Sequence, residues 1–417
     1  MNGSPAPSTS SQLKTIVTLF VVLRVTILLL YTPQGLLNAY TDYQHYYRVA
    51  QLSDQGYYPY VNLWYEHLPL MAYTSQAVYA LTRSLVPIGG LDSFSYQFFA
   101  RLLGGVMLIF ETGALILLHR IARRMWDEQR ADWIGWVYAT LSVPIFFWNA
   151  SQTSSVLFFT LLALDLWLSN RRTRSVIALR LGVLTKFTPV FLFGVIARAL
   201  SAQPRALLRY GLVALLVAAV LFAPFVALGG TPWIAASLAS NLGRVSWATP
   251  WAVIDGNWGV GDVGDLLART QLDRTTQLTG NPPVVPSVIV LAIFAAIYLW
   301  LFRRPIDLTR PTSFVWFATL LLMLFHLWSK GWSPQWATLI LPFILLSFPM
   351  QRGLTLTLIL TGLVFIEWPL SDALHSRAML AVAIVGRTAL FIAIAFQCAR
   401  ALWPQIKTSE TLAASEV

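Results

Sequence analysis

The chain is dominated by long apolar runs that are separated by short polar segments. Runs of about 17 to 25 residues recur along its whole length, the span that a helix needs to cross a hydrocarbon layer of roughly 30 Å. Strands of a membrane barrel would alternate apolar and polar residues, and these runs do not alternate. The pattern therefore predicts an all-α polytopic membrane protein.

Segment 68–86 decides how the predicted helices are oriented. It carries several hydroxyl and amide side chains and Arg83, which is typical of a helix lying along a membrane surface. If it lies there instead of crossing, segment 98–119 becomes the second crossing and segment 133–148 the third. The arginines of segment 120–130 then fall inside, as the positive-inside rule requires.

Continuing in this way gives about twelve transmembrane helices in a single domain, residues 13–402. Tails 1–12 and 403–417 are both expected in the cytoplasm, which fits a bacterial inner membrane. Two long loops, 33–97 and 229–286, fall on the outer face, the first with juxtamembrane helices. Long structured loops usually carry function, so the site is expected on the outer face.

Composition supports the membrane assignment and argues against a nucleic-acid partner. Hydrophobic residues make up 57% of the chain, charged residues only 11%, and the mean hydropathy is +0.63. The net charge of +11 comes mostly from short basic clusters between apolar runs, a topological signal rather than a polyanion site. Cys398 is the only cysteine, so no internal disulfide can form.

Two acidic residues in the first outer loop are candidates for chemistry. Asp42 follows the first helix by about ten residues, close to the expected boundary between lipid and water. It is a candidate general base for a hydroxyl proton, or alternatively the N-cap of a short helix. Glu66 is a candidate ligand of an acceptor or a cation, or a cap of the helix that follows. Tyr60 and its aromatic neighbours are suited to stacking on sugar rings or to forming an interfacial belt.

Lys186 lies at a break in an apolar segment, within the sequence Thr-Lys-Phe-Thr-Pro of residues 185–189. A lysine at bilayer depth costs about 3 kcal/mol, so such residues usually face a cavity or a substrate path. Lys186 is therefore a candidate ligand of an anionic headgroup, with snorkelling to water as the alternative. Lys330, with His326 a turn earlier, and Arg101 at the start of the second crossing are further candidates for substrate binding.

Four other charged residues fall inside predicted helices. Arg24, Glu111, Asp165 and Arg387 are expected mainly to pair with opposite charges in the bundle. The chain has no metal-ligand spacing, so no metal is assigned, and a divalent metal is left open as an alternative that the sequence does not indicate. It has no nucleotide-binding loop either, so a sugar donor would be lipid-linked.

Four segments, in order, resemble the GT-C superfamily of integral-membrane glycosyltransferases, which use polyprenyl-phosphate sugars. The pattern is most similar to that of bacterial polyprenyl-phosphate-mannose-dependent α-mannosyltransferases. Leu68 replaces the first proline of the second motif, and His67 beside it is unusual. The matching segments are Asp42 with GYYPY at 56–60, EHLPL at 66–70 with Arg101 beyond it, GVLTKFTP at 182–189, and SPQW at 333–336 with Gln335.

The resemblance implies transfer of a sugar, with mannose favoured, from a polyprenyl phosphate to a glycolipid or glycan hydroxyl at the membrane. Asp42 would be the base, and inversion at the sugar carbon is implied. Lys186, Arg101 and Lys330 would bind phosphate; Glu66, His67, Tyr60, His326 and Gln335 would contact substrate. The alternative from the residues alone is a transporter or flippase of a polyprenyl-linked sugar. That alternative predicts pseudo-symmetric halves, which the sequence does not contain.

Overall fold

In the computed structural model of the chain, every regular element of the described residues is a helix, which confirms the all-α class. The structure describes residues 9–31, 42–149, 151–259, 266–275 and 279–415. Residues 1–8 of the predicted tail, 33–41 of the first predicted loop, and Asp262 and Asp265 of the second lie outside the described residues.

Eighteen α-helices follow one another in the described residues. The first nine are α1 Thr9–Leu30, α2 Asp42–Gln51, α3 Pro69–Leu85, α4 Phe94–Met125, α5 Glu128–Thr140, α6 Ser142–Phe147, α7 Thr153–Leu168, α8 Arg172–Thr185 and α9 Val190–Ala199. The other nine are α10 Pro204–Gly229, α11 Pro232–Gly243, α12 Pro250–Asp255, α13 Ser287–Arg303, α14 Pro311–Trp328, α15 Ala337–Ser347, α16 Met350–Phe365, α17 Ser371–Ala373 and α18 Arg377–Ser415. Short 3₁₀ turns cover Leu52–Gln55, Ala268–Thr270, Leu272–Arg274 and Pro334–Trp336.

Six of these helical segments are long and apolar enough to cross a membrane, and four shorter ones are also apolar. The chain is thus a multi-pass membrane protein, but these numbers do not confirm the predicted count of about twelve crossings. The long segments are Gln12–Leu30, Phe94–Met125, Pro204–Gly229, Pro311–Trp328, Met350–Ala373 and Arg377–Leu402.

The helix starts follow from local chemistry. Ser93 and Asp127 cap α4 and α5 by accepting hydrogen bonds from the backbone N–H groups of Tyr96 and Arg130. Five other helices carry a proline in the first turn, where the missing N–H has no helical partner to lose.

The predicted break at Lys186 is confirmed. α8 ends at Thr185, Lys186 is extended with φ −153° and ψ 142°, and α9 begins at Val190. Pro189 cannot donate the hydrogen bond that would carry α8 onward, so the two halves meet at the lysine.

The prediction of one continuous helix over 133–148 is wrong. α5 ends at Thr140, Leu141 is extended with φ −64° and ψ 132°, and the short α6 follows. Pro144 explains the break, because it has no N–H for the carbonyl of Thr140, four residues earlier.

The core has two packed groups of helices. α4 packs against α1, α5 and α7, while α14 packs against α9, α15 and α18. Outside them, α10 leaves most of its leucines exposed; Leu215 and Leu216 are each 64% exposed. In a chain of this hydropathy such a surface fits a lipid environment.

The buried charges inside the bundle are paired, as expected. Arg24 Nη2 lies 3.1 Å from Glu111 Oε1, and both side chains are fully buried. Asp165 is bound by Arg120 and Arg124 at the far end of α4. These contacts join α1, α4 and α7 and leave none of the three buried charges for substrate.

Candidate functional site

Asp42 begins α2 and is held by two side chains. Its Oδ2 accepts hydrogen bonds from Gln335 Nε2 at 3.0 Å and from Tyr46 OH at 3.2 Å. Burial and the Asp42 charge raise the pKa of Tyr46 well above its usual range, so this hydroxyl stays protonated and donates. No residue in the described part of the chain hydrogen-bonds to Oδ1, which leaves that oxygen available to a substrate hydroxyl.

Lys186 faces the same centre from the break between α8 and α9. Its Nζ lies 4.8 Å from the centroid of the Trp336 ring, next in sequence to Gln335. Its charge also interacts with the carboxylates of Asp42 and Glu66. The extended backbone at Lys186 therefore places the ammonium group near enough to two carboxylates for their charges to interact.

Glu66 is the acidic centre of a second group beside Asp42. Its carboxylate lies 3.1 Å from His67 Nε2, 3.4 Å from Arg244 Nη1 and 3.9 Å from His45 Nε2. The N-cap of α3 is Leu68, which makes no side-chain cap, so the alternative of Glu66 as a helix cap is wrong.

The neighbours of Glu66 outweigh the effect of its burial. Burial alone would raise the pKa of Glu66, but His67, His45 and Arg244 hold it well below its usual range. Burial lowers the pKa of His45 to about 3, so His45 is uncharged at neutral pH. Arg244, in contrast, still lowers the pKa of Glu66 at that pH. Glu66 is therefore a carboxylate under physiological conditions.

Tyr60 supports this group and does not face a ligand. Its ring is 1% exposed and packs against Tyr65 and Phe225. Its hydroxyl donates to the backbone carbonyl of His67. A ring buried in this way cannot stack on a sugar, so the expected direct contact with substrate is replaced by a role in holding His67.

Two arginines of the second predicted loop, 229–286, reach the site, and neither was among the predicted site residues. Arg244 follows α11 and contacts Glu66, which precedes it by 178 residues. Arg269 places Nη1 3.2 Å from His45 Nε2, and its backbone carbonyl accepts from Trp64 N at 2.9 Å. The second loop thus adds positive charge beside Glu66 and His45.

The second loop is fastened to the segment that carries Gln335. Trp247 N donates to Lys330 O at 2.9 Å, and Trp332 N donates to Trp247 O at 3.2 Å. Thr249 Oγ1 donates to the same Lys330 carbonyl at 3.0 Å. These bonds fix the distance between the second loop and Gln335.

Substituting Gly331 with alanine is expected to loosen this connection. A Cβ at Gly331 would lie 2.1 Å from the Trp247 ring, so the ring must move. Overpacking of this kind costs typically about 1–3 kcal/mol. We expect a lower Tm and faster proteolysis of the second loop. Gly90→Ala, on the first predicted loop with no atom near the added Cβ, is the control. Equal Tm values for both variants would contradict the connection.

Behind the Gln335 segment lies a second buried ion pair. Arg387 binds Glu367, and Trp332 Nε1 donates to Glu367 Oε2 at 3.0 Å. Arg387 also donates to Ala248 O of the second loop. Arg387 is thus paired as expected, and the pair supports Trp332.

His326 lies against this support and does not touch Asp42 directly. Its ring centroid is 5.2 Å from that of Trp332 and 5.8 Å from that of Trp336. Both ring nitrogens are buried and lack hydrogen bonds in the described residues. His326 therefore packs against the rings of Trp332 and Trp336.

Arg101 and Lys330 are not joined to the Asp42 centre in the described residues. Arg101 Nη1 meets Gln97 of its own helix at 3.4 Å. The half-buried Lys330 side chain makes no hydrogen bond or ion pair there, and only its carbonyl is used. Among the predicted phosphate ligands, Lys186 is the one that interacts electrostatically with both carboxylates in the described residues.

The donor atoms of His45, Glu66 and His67 lie within 4.8 Å of one another, as metal ligands would. Arg244 and Arg269 are already bound to two of these three residues, however, and they occupy the position where a cation would be attracted. The group combines a carboxylate, two imidazoles and two guanidinium groups, which suits it to an anionic or hydroxyl-bearing ligand.

Comparisons with known proteins give only distant structural similarities. No protein-family model and no curated protein matches the chain. The chain is similar to the crystal structure of ArnT from Cupriavidus metallidurans bound to undecaprenyl phosphate: 14% identity, 93% of this chain and 77% of that chain covered, TM-score 0.45. It is also similar to the apo oligosaccharyltransferase of Archaeoglobus fulgidus: 14% identity, 92% of this chain covered, TM-score 0.42.

The chain spans 56% of the length of that oligosaccharyltransferase.

Proposed function

We propose that this protein is a glycosyltransferase that moves a sugar, with mannose favoured, from a polyprenyl-phosphate donor to a hydroxyl acceptor at the outer face of the membrane. Asp42 is the base, and Lys186 binds the donor phosphate. The reaction inverts the configuration at the sugar carbon.

The convergence of distant sequence segments supports this proposal. Asp42 and Glu66 come from the first predicted loop, Gln335 from the segment before α15 and Lys186 from a helix break, and their charged and polar groups interact at one centre. They are residues of the four segments that resemble the GT-C superfamily. A structural ion pair would explain Lys186 and one carboxylate. It would not explain a second carboxylate, or an oxygen of Asp42 that has no partner among the described residues.

The base step follows from the geometry at Asp42. Tyr46 and Gln335 fix Oδ2, so Oδ1 is free to accept the proton of an acceptor hydroxyl. As the proton moves to Asp42, the acceptor oxygen forms a bond to the anomeric carbon. The bond between that carbon and the phosphate oxygen breaks, and its electron pair leaves with polyprenyl phosphate. A single displacement of this kind inverts the anomeric centre.

The leaving group is a phosphate and needs positive charge more than a proton. Lys186 supplies an ammonium group beside Asp42, and Arg244 supplies a guanidinium group beside Glu66. Charge-assisted hydrogen bonds to the phosphate oxygens become stronger as negative charge develops on them, which stabilises the transition state.

The placement on the outer face rests on the ends of α4. Ser95, at its start, bonds to Tyr47 of α2, while Arg120 and Arg124 lie near its other end. A helix of 32 residues is about 48 Å long, so the arginine cluster is a membrane thickness away from the site. By the positive-inside rule the arginines are cytoplasmic, and the site and loops are outside.

Sugar transfer by the purified protein in lipid vesicles tests the proposal. The donors are polyprenyl phosphates of mannose, glucose, galactose and an amino sugar, with nucleotide sugars as the negative control. Release of polyprenyl phosphate from a lipid-linked donor is the expected result. Movement of intact donor across the vesicle membrane without release would support the transporter instead and would refute the enzyme.

Chelation is expected to leave the rate unchanged. Arg244 and Arg269 already supply positive charge at the His45–Glu66–His67 group, and no role in the proposed steps is left for a metal ion. Turnover should be equal, within about twofold, before and after dialysis against EDTA. A loss that added Zn²⁺, Mg²⁺ or Mn²⁺ restores would assign this group to a metal.

A further inference from the structure

A cleft lies along the face of α2 that contains His45. His45, Arg48 and Leu52 are spaced at i, i+3 and i+7 and therefore share one face of the helix. Along this face lies an open cleft of about 410 Å³. It is lined by Arg48, Gln51, Leu52, Asp54, Gln55 and Leu266.

The cleft is connected to the site through the second outer loop. Leu266, on its far wall, lies in the same short segment as Arg269, whose guanidinium contacts His45. Asp42 lies one helical turn before His45. From His45 to Leu52 the chain rises about 10 Å along α2, so the part of the cleft at Leu52 lies about that distance from His45.

The lining is suited to a ligand rich in hydroxyl groups. Arg48 offers donors, Asp54 offers acceptors and Gln55 offers both. Asp54 is fixed by Arg83 Nη1 at 2.5 Å and by the hydroxyl of Tyr79. Arg48 and Gln55 make no side-chain hydrogen bond or ion pair in the described part of the chain, so their polar groups are available.

The lining of the cleft has two leucines and four polar side chains, so it is not an apolar groove for a lipid tail. Gln51 is also held in place, because its Nε2 donates to Gly89 O at 2.9 Å. Fixed polar groups beside free ones are the arrangement that orients a polar ligand with little cost in side-chain entropy.

We propose that this cleft binds the acceptor, and that the acceptor is an oligosaccharide whose terminal sugar reaches Asp42 while the sugars behind it lie along α2. This proposal rests on the proposed glycosyl transfer. It assigns Arg48, Asp54 and Gln55 to acceptor recognition, a role distinct from the chemistry at Asp42.

The test compares acceptors of different length. Methyl glycosides of mannose, glucose and galactose are compared with the corresponding di- and trisaccharides. For the sugar that is used, wild type is expected to show a KM about tenfold lower for the trisaccharide than for the monosaccharide. Arg48→Ala is expected to remove most of this preference, since one hydrogen bond to a charged group is worth about tenfold or more. Gln55→Ala, which removes a neutral hydrogen bond, is expected to remove a smaller part of it.

Arg274→Ala and Gln271→Ala, exposed residues of the second outer loop outside the cleft, are matched controls and should keep the preference. Direct titration of the trisaccharide without donor should show the same loss of affinity in Arg48→Ala. Equal KM ratios in wild type and cleft variants would overturn the inference, and so would transfer only to lipid or peptide acceptors. No release of polyprenyl phosphate by wild type from any donor would instead refute the proposed function.

Discussion

Replacing Asp42 with asparagine is expected to lower sugar transfer by about 10²- to 10⁴-fold, the usual contribution of a general base. The amide keeps the size of the side chain and can still accept from Tyr46 and Gln335, so the local fold is preserved. It cannot take up the proton of an acceptor hydroxyl. The measurement is the rate of polyprenyl-phosphate release at saturating donor, together with donor affinity, which should change little.

Asp92→Asn is the matched control for this variant. Asp92 is an exposed carboxylate of the same predicted loop and makes no side-chain hydrogen bond or ion pair in the described residues. Its variant should release polyprenyl phosphate at the wild-type rate. If Asp42→Asn is equally active, the carboxylate is only the start of a helix, and another group accepts the proton.

Replacing Lys186 with methionine is expected to reduce kcat/KM for the donor by about 10²- to 10³-fold. Such a loss is typical when one preorganised donor to a developing negative charge is removed. Methionine has a similar length and is compatible with the half-buried site, so the helices α8 and α9 should still form. Lys186→Arg keeps the charge and should retain more activity than Lys186→Met.

Lys14, an exposed lysine at the other end of α1, provides the control. Lys14→Met should leave donor kinetics unchanged. If Lys186 only extends its ammonium group to water, Lys186→Met will behave like Lys14→Met, with equal donor KM and kcat. That outcome would show that Lys186 does not bind the donor phosphate.

The parts of the molecule that follow from local sequence were predictable. The break at Lys186 follows from Pro189 and from short apolar halves on either side. The short helix that begins at Asp42 was one of the two alternatives that the sequence left open at this residue. At Lys186 the cause lies within about ten residues of the effect.

A break with an equally local cause was missed at Leu141. The apolar run over 133–148 contains Pro144, and its lost hydrogen bond to Thr140 ends α5. Composition alone suggested a crossing there, because hydropathy does not register a missing N–H group.

The long-range parts of the site could not be predicted. Arg244 contacts Glu66 and Arg269 contacts His45, although about 180 to 220 residues separate the partners in the sequence. No periodic pattern in the sequence indicates such contacts. The same reason explains why Arg101 and Lys330 looked as suitable as Lys186. All three are basic residues near helix ends, and only the packing of α8 and α9 decides which one meets Asp42.

The binding of a donor analogue at the Asp42–Lys186 centre is the most direct test of this account. A cryo-EM structure in lipid nanodiscs with a non-hydrolysable polyprenyl-phosphonate mannose would show where the donor analogue binds. The account predicts phosphonate density within hydrogen-bond distance of Lys186 Nζ, with the anomeric carbon beside the oxygen Oδ1 of Asp42. Density for the headgroup at Arg101 or Lys330, with Lys186 still facing only Trp336, would contradict it.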